Sequence, residues 1–323
     1  MTWVTWRQYR YQGALAAALL AALAVVLLIT GLHAAQVWHS ALTGCVKDNS
    51  CGNLSLASPA TVFLIIATSA VPLLPGLFWG APTVASELET GTYQFAWTQS
   101  ISRRRWLAVR AGWLLLGAAV IAGAVSAIVT WWFGPDNALN ADAFKVSRFD
   151  TTDMVPVGYA VFAMALGICA GTLLRRTLPA LAVTLAGFTG LRALIALLLR
   201  PHYMTPVTVY YKLTAPFTPA GSYLGVGQGI VGANGKLPAG GLSTYYLNGL
   251  QIPAGGQKCM TGLGRNNSQG ALSCLTAHGY RGYMTFQPAS RFWAFQGIET
   301  GIFVVLAAVL LGVTFWVLKR RDA

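Results

Sequence analysis

The sequence predicts an all-α polytopic membrane protein with six transmembrane helices. Three observations lead there. The 323 residues are 55% hydrophobic and only 10% charged. Soluble domains average about 25% charged residues, so this chain cannot coat a globular surface with charge, and neither a cytosolic domain nor a disordered chain fits. Six segments are apolar over roughly the 20 residues a helix needs to cross a bilayer. The basic residues between those segments cluster at alternate ends. Net charge is +13; in a soluble chain that would suggest nucleic acid, but here the placement of the arginines accounts for it and no nucleic-acid partner is expected.

The N-terminal stretch MTWVTWRQYRYQG spaces Trp3, Trp6 and Arg10 at about helical intervals. It reads as an amphipathic helix lying at the membrane interface. The first span is Ala14 to Ala35, longer than the 7–15 apolar residues of a signal peptide, and so a retained anchor. The second runs from about Ala60 to Ala81, where Pro72, Pro75 and Gly76 predict a kink. The third is about Leu107 to Phe133, and the fourth about Val157 to Leu174. The fifth, Leu178 to Leu199, is separated from the fourth by a tight turn carrying Arg175 and Arg176. Residues 200–297 form a Gly-rich loop, long enough to fold as a small extracellular cap. Its apolar start, YMTPVTVYYKLTAPF, is a candidate for dipping into the outer leaflet. The sixth span is about Ile298 to Leu318. Three regions follow: a membrane domain over 1–199 with an inner segment at 82–106, the cap over 200–297, and the last helix with its basic tail over 298–323.

Orientation comes from the short flanks. Arg7 and Arg10, then Arg103, Arg104, Arg105 and Arg110, then Arg175 and Arg176, then Lys319, Arg320 and Arg321 all fall on one side if both termini share it. The positive-inside rule makes that side the cytoplasm of a cell membrane. The cysteines agree: Cys45 and Cys51 lie in the first outer loop, Cys259 and Cys274 in the last, and Cys169 inside the fourth span. Loop locality pairs Cys45 with Cys51 and Cys259 with Cys274.

Catalytic signatures are absent. There is no HExxH, GxSxG, paired-Cys zinc spacing or phosphate-binding P-loop, so the chain is read as a non-enzyme that binds no cofactor. Two charges stand out in the spans. Arg192 sits in the fifth, about 10 Å from its outer end at 1.5 Å per residue. Two readings stand for it: it faces protein, with Glu299 at the start of the sixth span as partner, or it snorkels outward.

The inner segment between the second and third spans is more ordered than a connector needs. Glu87 and Glu89 are followed by the turn Thr90-Gly91-Thr92, then Trp97-Thr98-Gln99-Ser100, then Ser102 and Arg103. The positive-inside rule explains the arginine but not the glutamates or Trp97. An acidic-then-basic pattern suits docking on a soluble protein by charge complementarity.

These residues resemble the signature of ABC-2-type transporter permeases, the membrane subunits of bacterial ABC exporters: an acidic residue, Glu-x-Gly-Thr, and a Ser-Arg before the third helix. Arg291-Phe292-Trp293, Phe295-Gln296 and Ile298-Glu299 match near the C-terminus. The resemblance implies a half-transporter in the bacterial plasma membrane. Separate ATPase subunits would carry ATP and Mg, a second permease copy would complete a homodimer, and lipids would surround it. Glu87, Glu89, Thr90, Gly91, Thr92, Trp97, Ser102 and Arg103 would form the coupling contact with the ATPase. The cargo implied is a hydrophobic or amphiphilic compound such as a drug, antibiotic or lipid. The rival readings are a secondary transporter, which would need midplane carboxylates, or a membrane sensor or assembly protein using the cap.

Overall fold

A computed structural model describes residues 18, 21–33, 35–36, 59–83, 85, 103–134, 143–232, 235, 242–247, 250–261 and 268–320. These fall into two compact units. One takes the described residues within Met1–Asn140, Lys145–Ala196 and Trp293–Ala323; the other takes those within Ala141–Phe144 and Leu197–Phe292.

The first unit is helical. Among the described residues, five helices are long and apolar enough to cross a membrane: Val62–Thr83, Leu107–Trp132, Val155–Leu174, Thr177–His202 and Ala289–Arg320. Within the first predicted span the described residues include the apolar helix α1, Ala21–His33. The expected interfacial helix over residues 1–13, and the Cys45–Cys51 pair, lie outside the described residues.

The second span, α2 (Val62–Thr83), departs from α-helical geometry where its prolines sit. Pro72 and Pro75 have no N–H to give to the carbonyls of Thr68 and Val71. The Val71 carbonyl instead accepts from the Leu74 N–H, in a 3-10 turn over Val71–Leu73. A π-turn follows over Gly76–Gly80, closed by the Ala81 N–H onto the Gly76 carbonyl. The Val71 carbonyl freed by Pro75 is thus re-paired along the same helix, as a low-dielectric surround favours.

The next helices are α3 (Arg103–Trp132), the short α4 (Val146–Phe149), α5 (Val155–Leu174) and α6 (Thr177–Leu194). α5 and α6 are joined only by Arg175 and Arg176; Arg175 takes the left-handed conformation, φ 54°, and its N–H caps the Gly171 carbonyl. Helix α5 is the centre of the unit. Of its most apolar stretch 72% is buried, against 17–39% for the other four spans. Alanines of α3 (Ala111, Ala118, Ala122) pack on Ala160, Met164 and Ile168 of α5. Leu27 of α1 packs with Leu64 and Val71 of α2 and with Val125, Val129 and Trp132 of α3. The opposite faces carry exposed Phe63, Trp113, Leu116, Val120, Val305 and Val309, an apolar exterior that suits lipid rather than water.

Helices α2 and α5 approach closely through small residues. A Cβ at Gly167 would lie 2.8 Å from the Ala81 backbone nitrogen, and one at Gly171 would lie 2.6 Å from the Ala81 carbonyl oxygen. Gly76 is similarly pressed against the backbone of Ala163. Gly76 and Gly80 on one helix and Ala163, Gly167 and Gly171 on the other recur every four residues, so each set lines one face and the backbones can meet.

The second unit adds strands to a mostly helical chain. Residues 207–287 include five strands: β1 (Val207–Tyr211), β2 (Leu224–Val231), β3 (Leu242–Leu247), β4 (Leu250–Pro253) and β5 (Arg281–Gln287). Between β4 and β5 lie the short helix α7 (Lys258–Thr261) and α8 (Ser268–Ala277). β5 runs between β1 and β2, antiparallel to both, while β3 and β4 pair as a separate antiparallel ribbon. The apolar run expected to dip into the outer leaflet supplies β1, whose backbone pairs with β5 from Val207–Phe286 to Tyr211–Gly282. Its alternation of Val, Thr and Tyr was visible in the sequence, but a strand needs a partner to satisfy its backbone, and that partner lies some seventy residues downstream. The core of this unit is Leu213, Ile230, Leu247, Ile252, Ala271 and Leu275, with Cys259 joined to Cys274 at its edge. Buried Gln287 donates to the carbonyls of Pro201 (3.1 Å) and Met204 (2.6 Å), tying the incoming chain to β5. The last helix, α9 (Phe292–Arg320), follows directly.

The close approach of α2 and α5 yields a prediction. Gly167→Ala places a methyl against backbone rather than a movable side chain, and overpacking of this kind costs about 1–3 kcal/mol. Gly190→Ala, with nothing within 4 Å of its Cβ position, is the control. Thermal unfolding in detergent should show a lowered Tm for the first variant and an unlowered, slightly raised one for the second, where a helix-interior Gly gives way to Ala without a clash.

Candidate functional site: a polar hub among the membrane helices

The sequence placed Glu299 at the mouth of the sixth span. The helix begins earlier, at Phe292, so Glu299 lies two turns inside it and is fully buried. It accepts a hydrogen bond from the Tyr159 hydroxyl of α5 at 2.5 Å. The Tyr159 ring is itself buried, edge-on to Phe303 (4.6 Å) and Phe188 (6.0 Å). The guanidinium of Arg192 lies over that ring at 5.1 Å.

Arg192 faces protein, and its ion pair is with Asp150 rather than with the expected Glu299. Its Nε donates to Asp150 Oδ2 at 3.0 Å, and a second nitrogen donates to the Ser69 carbonyl of α2 at 2.9 Å. The Asp150 side chain is 1% exposed and that of Arg192 19%. Two features put them together. Arg192 lies near the C-terminal end of α6 and Asp150 just before the N-terminal end of the antiparallel α5, so both belong to the same end of the hairpin. α4 then turns the chain back so that Asp150 meets the arginine. Asp150 was missed in the sequence because it precedes the span instead of lying inside it. Its signal was being one of nine acidic residues, beside a span end that topology pairs with Arg192.

The segment from Phe149 to Val155 gathers the surrounding helices. Gln296 of α9, fully buried, donates to the Phe149 carbonyl (3.1 Å) and accepts from the Val155 N–H (3.0 Å). Ser126 of α3 donates to the Asp153 carbonyl (2.8 Å), and Thr130, one turn on, accepts from the Asp153 N–H (3.1 Å). Thr151 and Thr152 close onto the carbonyls of Ser147 and Arg148. Arg148 stacks over Phe133 at 4.7 Å, and burial lowers its pKa from the ordinary arginine value. Helices α2, α3, α5, α6 and α9 are thereby tied to one short segment.

Asp153 adopts φ 61°, a conformation that Asp and Asn tolerate better than most residues. Burial raises its carboxyl pKa, against a smaller opposing effect of the Thr152 hydroxyl.

Of the hub's carboxylates, Asp150 is engaged by Arg192 and Glu299 by Tyr159. Together with Gln296, Ser126 and Thr130 they hold the ends of five helices in one arrangement. Among the described residues, the side-chain group with metal-ligand character is Cys259, Cys274 and His278, in the second unit. Of the residues assigned to the coupling contact, Glu87, Glu89, Thr90, Gly91, Thr92, Trp97 and Ser102 lie outside the described residues. Arg103 is the first residue of α3.

Two predictions follow from the hub. Asp150→Ala leaves the Arg192 charge without its partner; removing one member of a buried pair costs about 3–5 kcal/mol, and the partial exposure of Arg192 puts this case near the lower end. Asp150→Leu combined with Arg192→Leu should cost less than the sum of the single changes, read as a coupling energy in a double-mutant unfolding cycle. For Asp153 the sign runs opposite to that of a salt-bridged carboxylate. A raised folded-state pKa means that the folded protein holds the proton more tightly, so the group's contribution falls as pH rises through that pKa. Asp153→Asn should therefore raise Tm at neutral pH. The advantage should vanish below about pH 4, where the unfolded carboxyl is protonated too.

Comparison with known proteins agrees with the helical architecture. A family model described as ABC-2 membrane transporter related matches residues 17–200, more than half of the chain, including the segment that carries the Glu-x-Gly-Thr and Ser-Arg resemblance. No curated protein and no solved structure matches. The chain is a multi-pass membrane protein and belongs to the ABC-2 membrane transporter related family.

Proposed function

We propose that this protein is the permease subunit of an ATP-driven ABC transporter, exporting a hydrophobic or amphiphilic compound from a bacterial cell. The family match over residues 17–200 carries the reading. In this scheme both termini and the segment between α2 and α3 are cytoplasmic, the β-containing unit is extracellular, and two permease copies form the pathway. Separate ATPase subunits bind ATP and Mg and dock on Glu87 to Arg103. Closure of the ATPases pushes on that segment and so on α2 and α3, which bracket it in sequence.

The chain's own residues suit transmission of such a push. α2 is joined to α5 backbone-to-backbone at Gly76, Gly167 and Gly171, so displacement of α2 is carried to the central helix with little side-chain slack. At the other end of α5 the Asp150–Arg192 pair, Gln296 and the Glu299–Tyr159 bond hold α6 and α9 to it. Rearrangement of these hydrogen bonds, rather than bond chemistry, is the step this chain contributes.

The experiment is a Glu87→Ala, Glu89→Ala double variant. It should insert and fold like the parent but lose association with the partner ATPase or the substrate stimulation of its hydrolysis, because truncating one side of a buried charge contact costs about 2–5 kcal/mol. Lys236→Ala is the control and should leave coupling intact. A double variant that binds and stimulates its ATPase normally would favour the sensor or secondary-transporter reading.

A further inference from the structure

The second unit holds a group that the transporter reading does not use. Cys274 lies in α8, and His278 follows one helical turn later, its N–H bonded to the Cys274 carbonyl at 3.1 Å. That spacing sets both side chains on one face. Cys259, in α7, faces them from a segment 15 residues earlier, with its Cα 5.6 Å from that of Cys274. His278 Nδ1 lies 3.8 Å from Cys274 Sγ and 3.9 Å from Cys259 Sγ.

We propose that Cys259, Cys274 and His278 form a redox-gated binding site for a borderline-soft divalent cation, Zn²⁺ foremost. The spacing suits that ion. With Zn–S near 2.3 Å and Zn–N near 2.0–2.1 Å, tetrahedral coordination puts sulfur and nitrogen ligands about 3.6 Å apart and two sulfurs about 3.8 Å apart. Both imidazole–sulfur separations are already within a few tenths of an ångström of that figure. Only the sulfurs must move apart, from bonded contact, when the disulfide opens. Two thiolates and an imidazole with no carboxylate select zinc or copper(I) over magnesium or calcium.

Burial is graded. Cys259 is buried, Cys274 half-buried and His278 exposed, so a fourth position opens to water. Ile252, Ala271 and Leu275 pack with Cys259 in the unit's core, which keeps α7 and α8 in place when the covalent link is gone. In the disulfide form His278 Nδ1 lies 2.9 Å from the Cys274 carbonyl; coordination would replace that contact and leave the ring proton on Nε2.

The gating step balances with a dithiol reductant. One of its thiolates attacks Cys274 Sγ, the more exposed sulfur, and the Cys259–Cys274 bond breaks with Cys259 leaving as thiolate. The second reductant thiolate then displaces Cys274, and the reductant departs as a cyclic disulfide. Two electrons pass to the cysteines, which take up two protons as thiols. Zn²⁺ binding expels those protons. Oxidation reverses the sequence and releases the ion.

The test uses the full chain in detergent, oxidised or reduced with a phosphine that brings no competing thiolate, and titrated with Co²⁺ and then Zn²⁺. The reduced protein should develop a near-ultraviolet thiolate-to-cobalt band and the intense visible bands of a tetrahedral site. These should saturate at one ion per chain and be bleached by Zn²⁺. The oxidised protein should show neither. Cys259→Ser with Cys274→Ser should abolish the signal while leaving Cys45, Cys51 and Cys169 present. His278→Ala should weaken binding at least tenfold yet still form the Cys259–Cys274 disulfide on oxidation, which reports an intact fold. A reduced protein without tetrahedral bands overturns the proposal. So do bands unchanged in His278→Ala, which would leave the histidine as a helix cap, or bands persisting in the double serine variant.

Discussion

Hydrocarbon offers a polar group no partner, so a chain within it must satisfy its donors, acceptors and charges from its own atoms. The interaction that answers this most fully here is the Arg192–Asp150 pair. Arg192 is too far along α6 to be ignored, and its two donated hydrogen bonds fix Asp150 on one side and the Ser69 carbonyl on the other. Asp150 in turn fixes the segment through which Gln296, Ser126 and Thr130 reach the backbone. The ends of five helices are gathered around this pair and the segment that carries Asp150.

Away from that segment the helices meet through absence of side chain rather than presence of charge. Lipid tails are as apolar as leucine, so bulky apolar residues gain little by facing another helix. Gly76, Gly80, Gly167 and Gly171 gain contact because their backbones can touch. Phe63, Trp113 and Val305 face outward, while Tyr159, Phe188 and Phe303 pack together inside. The π-turn in α2 coincides with its small residues, so the local departure from α geometry and the close approach to α5 share one stretch of sequence.

The second unit solves a different problem. Its core, from Leu213 to Leu275, is a water-type core assembled from strands far apart in sequence, with a covalent link between Cys259 and Cys274. A unit of about a hundred residues with many glycines has limited apolar area to bury, and a cross-link compensates by restricting the unfolded chain. Placing His278 beside that link joins the unit's stability to its chemistry.

Legible in the sequence were the membrane class, the positions of five long spans, a departure from regular helix at Pro72 and Pro75, and the family resemblance around Glu87 to Arg103. These are local properties: hydropathy accumulates over one segment, a proline removes its own donor, and a motif is a run of neighbours. It also singled out Arg192 and Glu299 as charges in unfavourable places. Their partners were set by the folding of distant segments onto one another. Arg192 found Asp150, 42 positions away, and Glu299 found Tyr159, 140 positions away. Likewise β1 became a strand only because β5 returned beside it. In each case the deciding quantity is a pairing between distant residues. Composition records that a charge or a bare strand edge must be satisfied, and only the folded chain settles which group satisfies it.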